Sequence, residues 1–487
     1  MSSDPARSTL APWAAAAIAS LALLWLFWPG YLSWDAAYQW WLVRHGGFDP
    51  LLPVSMTALW RLTEAILPGP GGLFVLQTTA FWIGLALLAR ALPWTRTGQT
   101  VVVLVIGLWP AVFALLPHLW KDIGFATALI WAVAALASDR FRPDRRLRLL
   151  AVFALLIAAG LRLNAATALP PLLAWIIWRE FQTTGWHTGR WHWRPILLAI
   201  PASLLLAGLA HWPQRIANPD RQPLWPTVAL WDIAAVSVAE NRMLLPAAWI
   251  DSDLSLDRLG TAFRHDSNTS IFETERIHLN LHHPLTEADL DALRQVWWSL
   301  PIAHADGYWR HRLRVAELLF GIDRDGRPIR LVLQPGWLDY RDNPPIAAPE
   351  RPARIWLQGW LDDLASGPMF AGWPYLLGCL AVIWAAIRRA RGGLPAAVAL
   401  SGLSLAAPLL VIAPSAEFRF LLWPVLAALI SVFLTWAEPS PATRRRPPPP
   451  ARPTPFVARV EAPAQTSAQT SAQGRVQAAE SSTPTID

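Results

Sequence analysis

Asp35, Asp122 and Glu417 are carboxylates, and Lys121, Arg162 and Arg419 are cations, that stand within a few residues of the ends of long apolar runs. A carboxylate in that setting can serve as a general base, or share a divalent ion with a second carboxylate. A guanidinium grips phosphate through two parallel N–H bonds, and an ammonium does so as a point charge. The six residues come from four separated stretches: SWDAAYQW (33–40), WKD (120–122), RLN (162–164) and EFR (417–419). Arg44, Asp49 and His118 lie close by. Tyr38, Gln39 and Asn164 add hydrogen-bonding groups, the first two of a kind that holds sugars. Asp35 and Asp122 are therefore the candidate catalytic residues, with the two also the candidate ligands should a divalent metal take part. Lys121, Arg162, Asn164, Glu417, Arg419, Tyr38 and Gln39 are the candidate substrate-binding groups.

Each assignment competes with a structural one. Asp35 suits a solvated loop, or the N-cap of a short interfacial helix AAYQWWLVR (36–44). Asp122 suits the cap of the following span, beside a snorkelling Lys121, and Arg419 suits a plain ion pair with Glu417. His278 and His282 have helical spacing, but Pro284 follows and no third ligand is evident, so chance spacing is the better reading. Asn268-Thr-Ser is a glycosylation sequon by pattern alone. The single cysteine, Cys379, excludes an intrachain disulfide framework and a Cys-based zinc site.

The elements that must position these groups are membrane helices. With 54% hydrophobic and 15% charged residues in 487, the composition is far from that of a soluble domain. The apolar residues fall in blocks near the length needed to cross the roughly 30 Å hydrocarbon layer as helices. Ten spans are expected, at about 10–29, 71–91, 99–117, 121–137, 148–160, 165–178, 195–211, 369–387, 394–413 and 420–437. The first is too long, and lacks the cleavage site, for a signal peptide. Many of the 31 tryptophans flank these blocks, as the aromatic belt requires.

The net charge of +7 does not point to nucleic acid, because the arginines gather between apolar blocks, in RFRPDRRLR (140–148), RRARGG (388–393) and RRR (444–446). The positive-inside rule then places these stretches and both termini in the cytoplasm, and the candidate site on the opposite face. Four regions follow: a membrane part over 1–211, a mainly helical periplasmic insert over 212–368, a second membrane part over 369–438, and a disordered basic, proline-rich tail over 439–487. Within the insert, DLDALRQVWWSL (289–300) and YWRHRLRVAELLFG (308–321) predict helices. The fold class is an all-α polytopic membrane protein.

The order SWDAAYQW, SMTALW (55–60), LQTTAFW (76–82), WKD, RLNA (162–165) and EFRFLLWP (417–424) resembles bacterial members of the GT-C glycosyltransferase superfamily, over about 1–215 and 370–437. The resemblance implies an inner-membrane enzyme that takes a sugar from a polyprenyl-phosphate or polyprenyl-pyrophosphate donor to a lipid, glycan or protein acceptor. It implies Asp35 as the essential early-loop aspartate, Asp122 as the acidic position of the second outer loop, and Arg419 as the late arginine facing the donor phosphate. No organic cofactor is implied. One departure stands out: members often carry His-Pro-Pro-Leu after the early aspartate, where this chain has Leu52-Pro53-Val54-Ser55. Three other classes compete, one of them a membrane assembly protein with no chemistry. A transporter or flippase for lipid-linked or anionic substrates wants ionisable residues near the bilayer midplane. A glycan polymerase or ligase wants outer-loop arginines and a histidine, for which Arg310, His311 and Arg312 are available.

Overall fold

A computed structural model describes residues 10–49, 52–184, 193–217, 223–277, 286–324, 326–388 and 393–437. The His278/His282 pair and the tail from 439 lie outside the described residues. Every regular element among the described residues is helical. The helices are α1 (Ala11–Phe27), α2 (Trp34–His45), α3 (Val54–Ile66), α4 (Gly71–Arg90), α5 (Arg96–Gly107), α6 (Pro110–Phe113) and α7 (Lys121–Phe141). Then come α8 (Arg145–Leu161), α9 (Leu169–Thr183), α10 (Arg194–Ala210), α11 (Trp212–Ala217), α12 (Trp225–Ala239), α13 (Leu256–Ala262) and α14 (Thr269–Phe272). The last are α15 (Glu287–Ala303), α16 (Ala305–Phe320), α17 (Pro352–Ala365), α18 (Trp373–Arg388), α19 (Leu394–Ala406), α20 (Leu409–Ile412) and α21 (Leu422–Trp436).

Among the described residues, five stretches are long and apolar enough to cross a membrane: α4, α7, the continuous Arg194–Ala217, Leu394–Ile412 and Phe418–Trp436. The other expected spans coincide with shorter helices. Pro110, which cannot donate a backbone hydrogen bond, splits the 99–117 block into α5 and α6. Arg162 interrupts the 148–178 stretch with an extended backbone, and a short 3-10 helix (Leu163–Thr167) follows it. Of the long apolar stretches, α7 is 83% buried against other helices, whereas Arg194–Ala217 is only 17% buried. Ile196, Leu197, Ile200, Leu204 and Leu205 are exposed along it. An apolar face of that extent is stable against hydrocarbon and unfavourable in water.

The bundle centres on α7, which packs against α8 and α4, while α18, α19 and α21 pack together beside it. At one end Asp139, fully buried on α7, ties three helices: Arg148 of α8 lies 2.7 Å away and Arg179 of α9 3.0 Å away. A buried carboxylate is tolerated there because two guanidiniums share it.

Both helices expected in the 212–368 region form, as α15 and α16. The apolar α12, which sequence patterning leaves unassigned, packs against them. It carries Asp232 into their shared core, where Arg312 Nη2 donates to it at 2.6 Å and Trp297 Nε1 at 2.7 Å. Arg312 Nη1 also donates to the Ala413 carbonyl at 2.9 Å, which fastens this region to the loop after α20.

Candidate active site

Asp35 is placed by a short three-ply backbone ladder. Tyr31 N–H donates to the Pro117 carbonyl at 2.8 Å, and Leu119 N–H donates back to Tyr31 at 3.2 Å. On the other side Leu32 N–H donates to Gly336 and Leu338 N–H to Leu32, both at 3.0 Å. Gly30, which precedes the ladder at φ +97°, is a place where only glycine avoids strain; an added Cβ would also come within 3.1 Å of Phe74 and 3.2 Å of Leu119. Trp120 Nε1 donates to Ser33 Oγ at 2.8 Å and Trp337 Nε1 to the Gly30 carbonyl at 2.7 Å. The loop before α2 and the loop before α7 are thereby held side by side. Ser33, not Asp35, is the N-cap of α2, and Asp35 occupies its first turn, where the helix dipole favours a negative charge.

Arg419 reaches this carboxylate from the 3-10 helix Phe418–Leu421 that opens the last span. Its Nη2 lies 2.8 Å from Asp35 Oδ2, and its Nε contacts Glu417 Oε2. The guanidinium lies over the Trp120 ring at 4.9 Å from the centroid. Burial alone would raise the Asp35 carboxyl, but the charges of Arg419 and Lys121 outweigh it and hold the group below the ordinary carboxylate range. Asp35 is therefore ionised at neutral pH.

Arg162, in the break after α8, forms the second half. Its Nη1 pairs with Asp122 Oδ1 and its Nε donates to Asn164 Oδ1 at 3.0 Å. It lies between the rings of Phe125 and Phe420, 5.6 and 5.5 Å from their centroids. Asp122 is 1% exposed and is not the cap of α7, whose N-cap is Trp120. It sits behind Arg162, outside the cavity lining.

A cavity of about 530 Å³ opens over these groups, lined by Asp35, Tyr38, Lys121, Arg162, Asn164, Glu417 and Arg419. Seven of the nine sequence-predicted site residues thus meet there. Gln39 does not: it is buried and donates to Thr57 Oγ1 at 2.9 Å in the contact between α2 and α3, so its sugar-binding assignment is replaced by a packing one. Asp122 acts on the cavity only through Arg162. Lys121 forms no ion pair or hydrogen bond among the described residues, although the charges of Asp35 and Asp122 act on it. With Asp122 counted behind Arg162, three cations stand against three carboxylates, and Lys121 is the lining cation whose ammonium has no direct partner among the described residues. Much of the remaining wall is apolar or aromatic, with Leu52, Pro53, Leu161, Leu224, Trp225, Val228, Trp297, Leu409 and Ile412, and uncharged polar groups such as Gln214, Thr227 and Asn268 lie among them.

A shared metal between Asp35 and Asp122 does not fit this arrangement. Each carboxylate is already engaged by a different guanidinium, and no group of three or more His, Cys, Asp or Glu suited to an ion exists among the described residues.

Of the neighbouring candidates, Asp49 accepts from Tyr38 Oη at 2.5 Å, and Arg44 donates to the Asp342 carbonyl at 2.8 Å. His118 is buried outside the lining, its ring nitrogens 3.1 and 3.0 Å from the Leu115 and Gln334 carbonyls. His311 and Arg312 are also buried away from the lining, around Asp232, and Arg310 points outward to Asp306 at 2.5 Å. Asn268 and Thr269 of the sequon line the cavity. Sequence reasoning missed Trp34, Trp225, Trp297, His211, Gln214 and Ser415, which also line it. The three tryptophans had only aromatic enrichment as a signal, shared with every tryptophan at a membrane border, and His211, Gln214 and Ser415 had none.

No family profile, curated protein or solved structure matches this chain.

Proposed function

We propose that this protein is an integral-membrane glycosyltransferase that moves a sugar from a polyprenyl-(pyro)phosphate donor to an acceptor, with Asp35 as the base. The observation that carries the proposal is the cavity itself. One part of its lining gathers the carboxylates of Asp35 and Glu417 with three cations drawn from distant parts of the chain; much of the rest is apolar or aromatic, with uncharged polar groups such as Asn164, Gln214 and Asn268 among it. A lipid-linked sugar has the same division, with a phosphate beside a hydrocarbon tail.

The Arg419–Asp35 pair also explains how a carboxylate held below its usual range takes a proton. While Arg419 is paired with Asp35, the carboxylate is a weak base. A donor phosphate competes for Arg419, and also engages Lys121 and Arg162, which loosens the grip on Asp35 and raises its basicity. The acceptor oxygen then forms a bond to the anomeric carbon as the bond from that carbon to the phosphate oxygen breaks. The acceptor proton passes to Asp35, and the phosphate leaves with the bonding electrons, its charge held by the three cations. Single displacement inverts the anomeric centre.

We further infer ten spans with both termini in the cytoplasm of a bacterial inner membrane, the 212–368 region and the cavity facing the periplasm. Five of the spans have the length and hydropathy to cross unaided. The described charges support a transferase over a transporter, because those lining the cavity lie beside helix ends, at breaks and first turns.

Asp35→Asn keeps the shape and removes the base. The expected result is normal insertion with transfer lowered at least about a hundredfold, measured with a lipid-linked donor in proteoliposomes. Undiminished transfer in that variant rejects Asp35 as the base.

A further inference from the structure

The outer face of α2 carries a row of rings that the transfer chemistry does not use. Trp34, Tyr38, Trp41 and His45 are spaced i, i+4, i+7 and i+11, which puts them on one side of the helix over about 16 Å. The opposite side, with Ala37, Trp40 and Val43, is buried. Neighbouring rings contact one another: Trp34 and Tyr38 have centroids 5.3 Å apart, Tyr38 and Trp41 stack at 6.4 Å, and Trp41 and His45 stack at 4.6 Å.

The row is held rigid from the 340–343 segment. Tyr340 meets Trp34 edge-on at 5.9 Å and Tyr38 at 5.5 Å. Arg341 covers Trp41 at 4.4 Å, and Trp41 Nε1 donates to Asp342 Oδ1 at 2.7 Å. Trp34 nevertheless stays 50% exposed, and it and Tyr38 line the cavity next to Asp35.

Aromatic residues at a membrane border are most simply lipid anchors. This row is bordered by Asp35, Arg341 and Asp342, with Arg44 at its far end, and such a density of charge disfavours burial in hydrocarbon. A ligand that satisfies both features has weakly polarised C–H faces to lie on the negative ring faces and hydroxyls around its edge to meet the charged rim. We propose that this shelf is the acceptor subsite, and that the acceptor is a neutral pyranose oligosaccharide whose reacting end projects over Asp35. The charges along the rim are of both signs, Arg44 and Arg341 with Asp35 and Asp342, so the shelf has no strong preference for an ionic glycan.

The assignment of the bound sugar as acceptor rests on the transferase reading; the binding itself does not. The test uses detergent-purified full-length protein without donor, titrated with cellotetraose, maltotetraose, chitotetraose and mannotetraose, with binding read by saturation-transfer NMR and calorimetry. At least one tetrasaccharide is expected to bind. Trp34→Ala is expected to weaken it about tenfold and Trp34→Phe to restore most of the affinity. Trp41→Ala is a second truncation should the first variant unfold. Trp356→Ala, at an exposed tryptophan on α17, should leave binding unchanged.

No binding of any of the four by the native protein overturns the proposal, as does unchanged affinity in both shelf truncations. Lower recovery of Trp34→Ala in the membrane fraction, with no saccharide bound by the native protein, assigns the row to anchoring instead. Saccharide binding in a protein that lacks Asp35-dependent transfer sinks the transferase and spares the shelf. Transfer without saccharide binding does the reverse.

Discussion

At the scale of single residues, the proposed chemistry turns on competition for guanidiniums. Arg419 divides itself between Asp35 and Glu417, while Arg162 is taken by Asp122 and Asn164. The two arginines differ in how replaceable their partners are. Asp35 is 38% exposed and can be reached by a substrate, whereas Asp122 is 1% exposed and has no water to fall back on. Removing the charge of a buried partner strands the other. Asp122→Asn is therefore expected to destabilise the fold by about 3 kcal/mol, and Asp122→Asn with Arg162→Gln to recover part of that loss. Thermal unfolding in detergent measures both. If the double variant is less stable than Asp122→Asn by the full cost of Arg162→Gln measured alone, the two residues are not coupled.

At the scale of elements, the decisive feature is the ladder of residues 31–32, 117–119 and 336–338 that seats α2 beside the start of α7. His118 is part of it, bridging Leu115 and Gln334 while stacking on Trp120 at 4.0 Å. Burial pushes its imidazole down to about 4, below the ordinary value of 6.5, so the folded protein holds it neutral where the unfolded chain would protonate it. The unfolded state then binds more protons between those two values. Stability from this group is complete above about pH 6.5 and declines, by up to about 3 kcal/mol, as pH falls toward 4. Melting temperature measured from pH 7.5 to 5 should follow that slope, and His118→Gln should flatten it. His265, also lowered to about 4, leaves a residual slope in that variant. A profile in the native protein that is level from 7.5 to 5 excludes a buried neutral His118.

At the scale of the whole molecule, the question is which side of the membrane the cavity faces. The 212–368 region is tied by two bonds to the loop after α20 that borders the cavity: Arg312 to the Ala413 carbonyl, and Asn268 N–H to the Pro414 carbonyl at 3.1 Å. The two must lie on one face. A reporter inserted near Asp251 is expected to give a periplasmic signal, and one fused after Arg388 a cytoplasmic signal. A cytoplasmic signal near Asp251 inverts the topology and removes the lipid-linked donor from reach of Asp35.

Much of this was readable from the chain, and the reason is local. Hydropathy blocks determine helices wherever the backbone must satisfy its own hydrogen bonds, so all ten expected segments coincide with helices. Breaks such as Arg162 showed because a guanidinium interrupts an apolar run. The insert helices α15 and α16 were legible from their patterning, while α12 was not: its apolar residues are nearly continuous, and only packing distinguishes a buried helix from other apolar runs. Residue type alone could not separate Gln39 from Tyr38, or Asp122 from Asp35. Which side chain of each pair faces the cavity depends on the rotation of α2 and α7 against their neighbours, and that rotation is fixed by contacts hundreds of positions apart, such as Trp337 with Gly30. Sequence thus determined which charges sit at helix ends; tertiary packing decided which of them share a cavity, because the pairing partners come from segments whose separation no local pattern encodes.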